Sequence, residues 1–137
     1  MKIYLASSWK NPFYEDVRNF LELQGHNVYD FKNPEYAFNW REFSIFSPND
    51  YIGVLQHERC QRAFRHDMEA LRSCNVCILL LPCGKSAHME AGWARGAGKF
   101  TAVYIGAREI DPDLMHLMAD AFVTNLRELK EILDVLR

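Results

Sequence analysis

Residues 76–99 read VCILLLPCGKSAHMEAGWARGAGK, and the change of period inside this stretch decides the fold. Val76-Cys77-Ile78-Leu79-Leu80-Leu81 is an unbroken apolar run of strand length, the pattern of a parallel strand covered on both faces. Pro82 and Gly84 end it. From Ser86, which reads as an N-cap, the period becomes helical, and Gly96 and Gly98 weaken the far end. In open α/β folds, ligands sit at the carboxyl ends of parallel strands, where the next helix offers free N–H groups and a positive dipole end. On a helix of about 100° per residue, Ala87, Ala91, Ala94 and Gly98 share a small-residue face suited to close packing on a sheet. Glu90 falls at the margin of that face, and it reads as a first-turn residue. A capping box from Ser86 would need its acid at Met89, so Glu90 does not fill that role. Glu90 is therefore a candidate functional carboxylate, the alternative being a simple favourable contact with the helix dipole.

Working outward, Lys2–Ala6 reads as a first strand and Ser7-Ser8-Trp9-Lys10-Asn11-Pro12 as the loop leaving its carboxyl end. Asn11 as cap and Pro12 as first residue open a helix whose stripe is Val17, Phe20, Leu21 and Leu23, and Gly25 closes it. Residues 27–31 read as a second strand. The βαβ opening so formed lacks G-x-G-x-x-G, so the dinucleotide fingerprint is absent. Residues 32–50 break the pattern with Asn33-Pro34, Ser47-Pro48-Asn49 and an aperiodic set of aromatics including Tyr36, Phe38, Trp40, Phe43, Phe46 and Tyr51. Such an insertion is a binding loop or interface, or else an apolar cover for the sheet edge. Its rings, Trp40 among them, are able to stack a flat base.

Residues 56–73 read as a helix with Ala63, Met68, Ala70 and Leu71 inward and the arginines solvated. Residues 100–105 form a fourth strand closed by Gly106, Asp111-Pro112 starts a short helical piece, and Ala121–Val123 is a last short strand. Asn125 or Thr124 then caps a helix running to Arg137. Strands alternating with helices over residues 1–137 give one α/β domain: a flavodoxin-like, doubly wound sheet of about five parallel strands with helices on both faces.

Composition narrows the partners. In a chain of 137 residues with 49% hydrophobic and 25% charged residues, a net charge of −2 offers no attraction for polymeric nucleic acid. Nothing resembles a signal peptide and no apolar run approaches a membrane span, so a cytoplasmic protein without a membrane partner is expected. The four cysteines, Cys60, Cys74, Cys77 and Cys83, include a CxxC. That pair runs into the buried strand, where residues three apart point to opposite faces, so reduced buried thiols are expected rather than a metal site. No metal or cofactor is called for.

Three places carry a resemblance: Ile3-Tyr4-Leu5-Ala6-Ser7-Ser8-Trp9 at the first strand, His66-Asp67-Met68-Glu69-Ala70-Leu71 before the third, and Met89-Glu90-Ala91-Gly92-Trp93-Ala94 followed by Gly98-Lys99. On these the chain resembles the nucleoside 2-deoxyribosyltransferase-like family, which includes nucleoside 5′-monophosphate N-glycosidases. The resemblance implies cleavage of an N-glycosidic bond, with Glu90 as nucleophile, Tyr4 as the hydroxyl holding it and Asp67 as an acid near sugar and base. It also implies a homodimer or larger homo-oligomer, for which apolar Leu114, Met115, Leu117 and Met118 and the aromatic insertion provide surface. Six residues before the glutamate, where the transferases carry an acid and the nucleotide hydrolases a serine, stands Gly84; four before it, where glycine is usual, stands Ser86. Transfer and hydrolysis both stay open.

The chemistry suits those residues. Oxocarbenium character develops at C1′ as the bond breaks, and a carboxylate on the opposite face stabilises it and can form a glycosyl ester. The helix N-terminus is expected to keep Glu90 ionised. Asp67 is the candidate proton source for the leaving base. Ser7, Ser8, Trp9, Gly84, Lys85, Ser86 and Trp40 complete the expected substrate contacts, and the serines, turn amides and Lys85 suit a 5′-phosphate. Two readings compete with the enzyme: a nucleotide-binding sensor on the same fold and a flavin carrier.

Overall fold

The computed structural model describes residues 1–106, 108 and 111–137. Five strands, β1 (Lys2–Ala6), β2 (Asn27–Tyr29), β3 (Val76–Leu80), β4 (Phe100–Tyr104) and β5 (Ala121–Val123), form a sheet in the order β2-β1-β3-β4-β5. Every pairing is parallel. The apolar run at residues 76–80 is the central strand β3, buried at every position, as expected of a strand covered on both faces.

Alternation along the strands divides the core into two layers. Ile3, Leu5, Val76, Ile78 and Leu80 face one way and meet Tyr14, Val17 and Leu21 of α1 (Tyr14–Leu23), together with Leu129 and Leu133 of α5 (Leu126–Leu136). Tyr4, Ala6, Cys77 and Leu79 face the other way. They meet Leu71 of helix Glu58–Ser73 and Ala87, Ala91 and Ala94 of helix Lys85–Gly96. In chain order these two helices are α3 and α4, after a short α2 (Pro48–Leu55). Truncating any of the fully buried Leu5, Ile78, Leu80 or Leu133 to alanine would cost about 2–5 kcal/mol.

This topology fixes where a crevice opens. The chain leaves β1 toward α1 on one face and leaves β3 toward α4 on the other, and β1 and β3 are neighbours. Their carboxyl ends are the switch point at which open parallel sheets take ligands.

Several boundaries differ from the sequence reading, each for a local reason. The second strand stops at Tyr29, because the Asp30 carboxylate accepts from Tyr14 Oη at 2.8 Å and from the Lys32 amide at 3.1 Å, which turns the chain off the sheet. Helix α1 begins at Tyr14 without a side-chain cap. Asn11 is 5% exposed and acts as a clamp: its Oδ1 accepts from Phe13 N at 2.8 Å, while Nδ2 donates to Leu80 O at 3.2 Å and Pro82 O at 3.1 Å. Ser47-Pro48-Asn49 opens helix α2, with Ser47 Oγ accepting from Asp50 N at 3.2 Å. Helix α4 starts at Lys85 with Gly84 as N-cap, so Ser86 is an exposed first-turn residue and not the cap. After β4, the short helical piece is a 3₁₀ segment, Leu114–Met118, capped by Asp113 and not by Asp111.

The cysteine pair needs a correction. Cys74 caps α3 ahead of the strand, and it packs in the same layer as Cys77 rather than on the opposite face. All four thiols are free, Cys74 and Cys77 being buried and Cys60 and Cys83 half-buried. No group of three or more possible ligands able to hold a metal ion stands among the described residues. No described helix is long and apolar enough to cross a membrane.

Candidate active site

The second layer carries an unusual polar insertion. Tyr4 is the middle residue of β1 and is 1% exposed, a position at which a phenol needs a partner for its hydroxyl. That partner is Glu90: the Tyr4 hydroxyl donates to Glu90 Oε2. Glu90 reaches it because the alanine face of α4 lets the helix lie close on the sheet, with Ala87, Ala91 and Ala94 all buried.

From Tyr4 a column of rings runs outward. Parallel register pairs Tyr4 with Tyr29 on β2, and the two rings stack at 5.3 Å and 19°. Tyr36 stacks on Tyr29 at 5.6 Å, and His66 of α3 stacks on Tyr36 at 4.5 Å. Beside His66 stands Asp67, whose Oδ1 accepts from the Tyr29 hydroxyl at 2.7 Å. Two half-buried carboxyls from different helices therefore meet over the same strand pair, each held on one oxygen by a tyrosine and each with its other oxygen unbonded among the described residues.

Burial governs their protonation. Desolvation pushes Glu90 up to about 7, against the pull of the Tyr4 hydrogen bond and with a further push from the nearby Asp67 charge. The expectation that a helix N-terminus keeps this acid ionised is thereby corrected: Glu90 is the sixth residue of α4, beyond the reach of the first-turn amides. Asp67 is also raised by burial, while the Tyr29 hydrogen bond and the neighbouring His66 draw it down. The phenols of Tyr4 and Tyr29 are pushed upward, first by burial, so both act as donors at neutral pH. Two carboxyls set over one ring column, both raised by burial, are the arrangement in which one can attack an electrophilic carbon while the other hands on a proton.

The expected substrate contacts are dispersed. Ser7, just past β1, donates its hydroxyl proton to Leu80 O at 3.1 Å, so it joins the two strand ends rather than facing a ligand. Ser8 Oγ accepts from Lys10 N at 3.2 Å, leaving its own proton free among the described bonds. Gly84, Lys85 and Ser86 open α4 at the same edge, all exposed. Trp9 is 55% exposed and meets Phe31 edge-on at 5.7 Å. Trp40 stands apart, packed on Phe38 at 5.0 Å and Tyr51 at 5.8 Å, and shares no stacking contact with the Tyr4 column.

Sequence reasoning missed Tyr29 and Asn11. The signal for Tyr29 was its register opposite Tyr4, which places both rings on one face. Two cavities, of about 250 and 480 Å³, lie along α4 toward the Asp113–Met118 segment, and neither is lined by Glu90, Tyr4 or Asp67. The carboxyl pair is the better candidate site, since those cavities lack any comparable set of acids held by donors.

An all-parallel sheet in this order, helices on both faces, defines a flavodoxin-like α/β protein. Among solved structures the fold is shared with the 2-deoxyribosyltransferase of Bacillus psychrosaccharolyticus, a psychrotolerant bacterium, at a TM-score of 0.67 and 18% identity over 95% of this chain and 90% of that one. It is shared as well with the CMP N-glycosidase BcmB of Clostridium botulinum, at a TM-score of 0.54 and 20% identity over 98% and 99% of the two chains. At these identities the likeness is one of fold. No family model matches the sequence, and no curated protein matches it.

Proposed function

We propose that this protein is a member of the nucleoside 2-deoxyribosyltransferase-like family that cleaves the N-glycosidic bond of a nucleoside or nucleoside 5′-monophosphate, with Glu90 as nucleophile. The observation that carries the reading is the buried Tyr4–Glu90 contact with Asp67 across the same ring column. The transferase and the N-glycosidase that share the fold add support.

In the first displacement, the free oxygen of Glu90 bonds to C1′ while the C1′–N bond breaks and its electron pair passes to the base. Asp67 supplies a proton to that base. In the second, water or another base attacks C1′, the Asp67 carboxylate takes back the proton that this nucleophile loses, and the C1′–O bond to Glu90 breaks, so configuration is retained. Burial makes the ionised Glu90 more basic than an ordinary glutamate and strengthens its attraction for the cationic carbon. Tyr4 holds one oxygen and leaves the other aligned.

A 5′-phosphate fits the exposed start of α4, where the side chains of Lys85 and Ser86 make no hydrogen bond or ion pair among the described residues, with Ser8 across the switch point. The test is incubation of the purified protein with a panel of nucleosides and 5′-monophosphates, followed by chromatography for free base and intact-mass analysis for a glycosyl ester. Base release that falls by about a thousandfold or more in Glu90→Gln is expected. Saturable nucleotide binding with no base released from any substrate would refute the enzyme reading in favour of a sensor module.

A further inference from the structure

Tyr29 stands between Tyr4 and Tyr36 in the column and has no part in the chemistry above. Its ring is held on both sides, by Tyr4 at 5.3 Å and Tyr36 at 5.6 Å, and its hydroxyl has one acceptor, Asp67 Oδ1 at 2.7 Å. A stacked ring is fixed in two directions, so the hydroxyl cannot follow the carboxylate if it swings; the carboxylate is aimed by the ring. Tyr36 is itself anchored, donating to Asp30 O at 3.0 Å and stacking on His66 next to Asp67. Tyr36 thus ties the chain just past β2 to the middle of α3.

We propose that Tyr29 is the positioning residue for Asp67: it holds one carboxyl oxygen and stabilises the carboxylate that forms as Asp67 protonates the departing base. The proposal rests on the N-glycosidase reading and goes beyond it. In that step the O–H bond at the oxygen Tyr29 does not hold is broken and an N–H bond forms on the base. The O–H electron pair stays on Asp67, and the Tyr29 hydroxyl, donating to the same carboxyl group, strengthens its bond as the charge develops. A donor that favours the ionised form makes Asp67 a better acid, in line with the downward pull of Tyr29 on its proton affinity.

The groups that face Asp67 are few enough to separate. Tyr29 comes from β2, Tyr4 from β1, Glu90 from α4, Tyr36 from the loop and His66 from Asp67's own helix. Of these, only Tyr29 donates to the carboxylate.

Tyr29→Phe keeps the ring and removes the donor. It is expected to lower kcat/KM by about tenfold and to move the high-pH limb of the profile upward by about one pH unit, with larger losses on poorer leaving bases. Carbon-13 titration of the Asp67 carboxyl, read without turnover, is expected to rise by a similar amount. In an Asp67→Asn background the same substitution should cost less than about twofold, because its partner acid is gone. A loss of rate with an unmoved limb and an unmoved Asp67 titration would overturn the proposal, as would full additivity of the two substitutions. If the wild-type protein releases no base, the proposal falls with the N-glycosidase reading. That failure is recognisable because the carboxyl titration still reports whether the contact exists.

Discussion

Replacing Glu90 by glutamine is expected to make the protein more stable at alkaline pH while leaving it unchanged in mild acid. The folded protein holds the Glu90 proton more tightly than the unfolded chain does, with a value of about 7 against 4.5. Between those two pH values the native state binds more protons than the unfolded state, so stability is fully present below 4.5 and is lost as the pH rises through 7. At about 1.4 kcal/mol per pH unit, the whole interval corresponds to about 3 kcal/mol. Glutamine mimics the protonated acid, can still accept from Tyr4, and never ionises. The variant should therefore match the wild type near pH 4.5 and exceed it by up to about 3 kcal/mol at pH 8.5. With a urea slope of about 2 kcal/mol per molar, that is a midpoint shift of about 1.5 M. Asp67, raised by burial in the same sense, leaves some pH dependence in the variant. Urea unfolding of both proteins at five pH values between 4.5 and 8.5 measures the difference directly. A gap that stays constant with pH, or a variant weaker than the wild type at pH 8.5, would refute the argument that burial sets the proton affinity of Glu90.

Removing the Tyr4 hydroxyl in Tyr4→Phe takes away the one bond that draws Glu90 down, so the low-pH limb of kcat/KM should rise by about one to two units, recoverable by working at higher pH; an unmoved limb would show that Tyr4 does not act through Glu90. Asp67→Asn should slow release of poor leaving bases more than good ones, and equal losses across a series of bases would leave Asp67 only a role in binding. A 5′-monophosphate should be cleaved with kcat/KM at least about tenfold above its nucleoside, about 1.4 kcal/mol, and Lys85→Ala should shrink that ratio; a preference for the free nucleoside would discard the phosphate reading. Sedimentation at micromolar concentration should show a homodimer or larger species, given the exposed Leu114, Met115, Leu117 and Met118; monomer alone would contradict it.

The central strand was legible because an unbroken apolar run has few other uses, and the parallel sheet followed from the alternation of strands with helices. Glu90 was also within reach, since the helix period puts it at the margin of the small-residue face, whereas its pairing with Tyr4 came from the family resemblance. What escaped depends on groups that local pattern does not connect. Asp67 and Tyr29 are 38 positions apart and joined only by folding. Asn11 carries the chemistry of a helix cap, yet its amide reaches across to Leu80 and Pro82, and no local rule distinguishes the two uses. Ser47-Pro48-Asn49 suits a turn and a helix start equally; with Val54 the one buried residue of α2, no apolar period was there to decide. The protonation of Glu90 was misjudged for a related reason. A helix-dipole argument needs only sequence position, whereas desolvation depends on what covers the group.

The three alanines under α4 act as a spacer between helix and sheet, and their thickness sets how far below the surface the Glu90 carboxylate ends up. Its basicity is therefore adjustable at positions that carry no polar atom. A bulkier side chain at Ala91 that lifted the helix and admitted water, while the Tyr4 hydrogen bond was kept, would lower the proton affinity of the carboxylate. Neutral-looking drift along this apolar face is a route by which the acidity of the site, and so the pH at which it works, can be retuned without changing any of its polar residues.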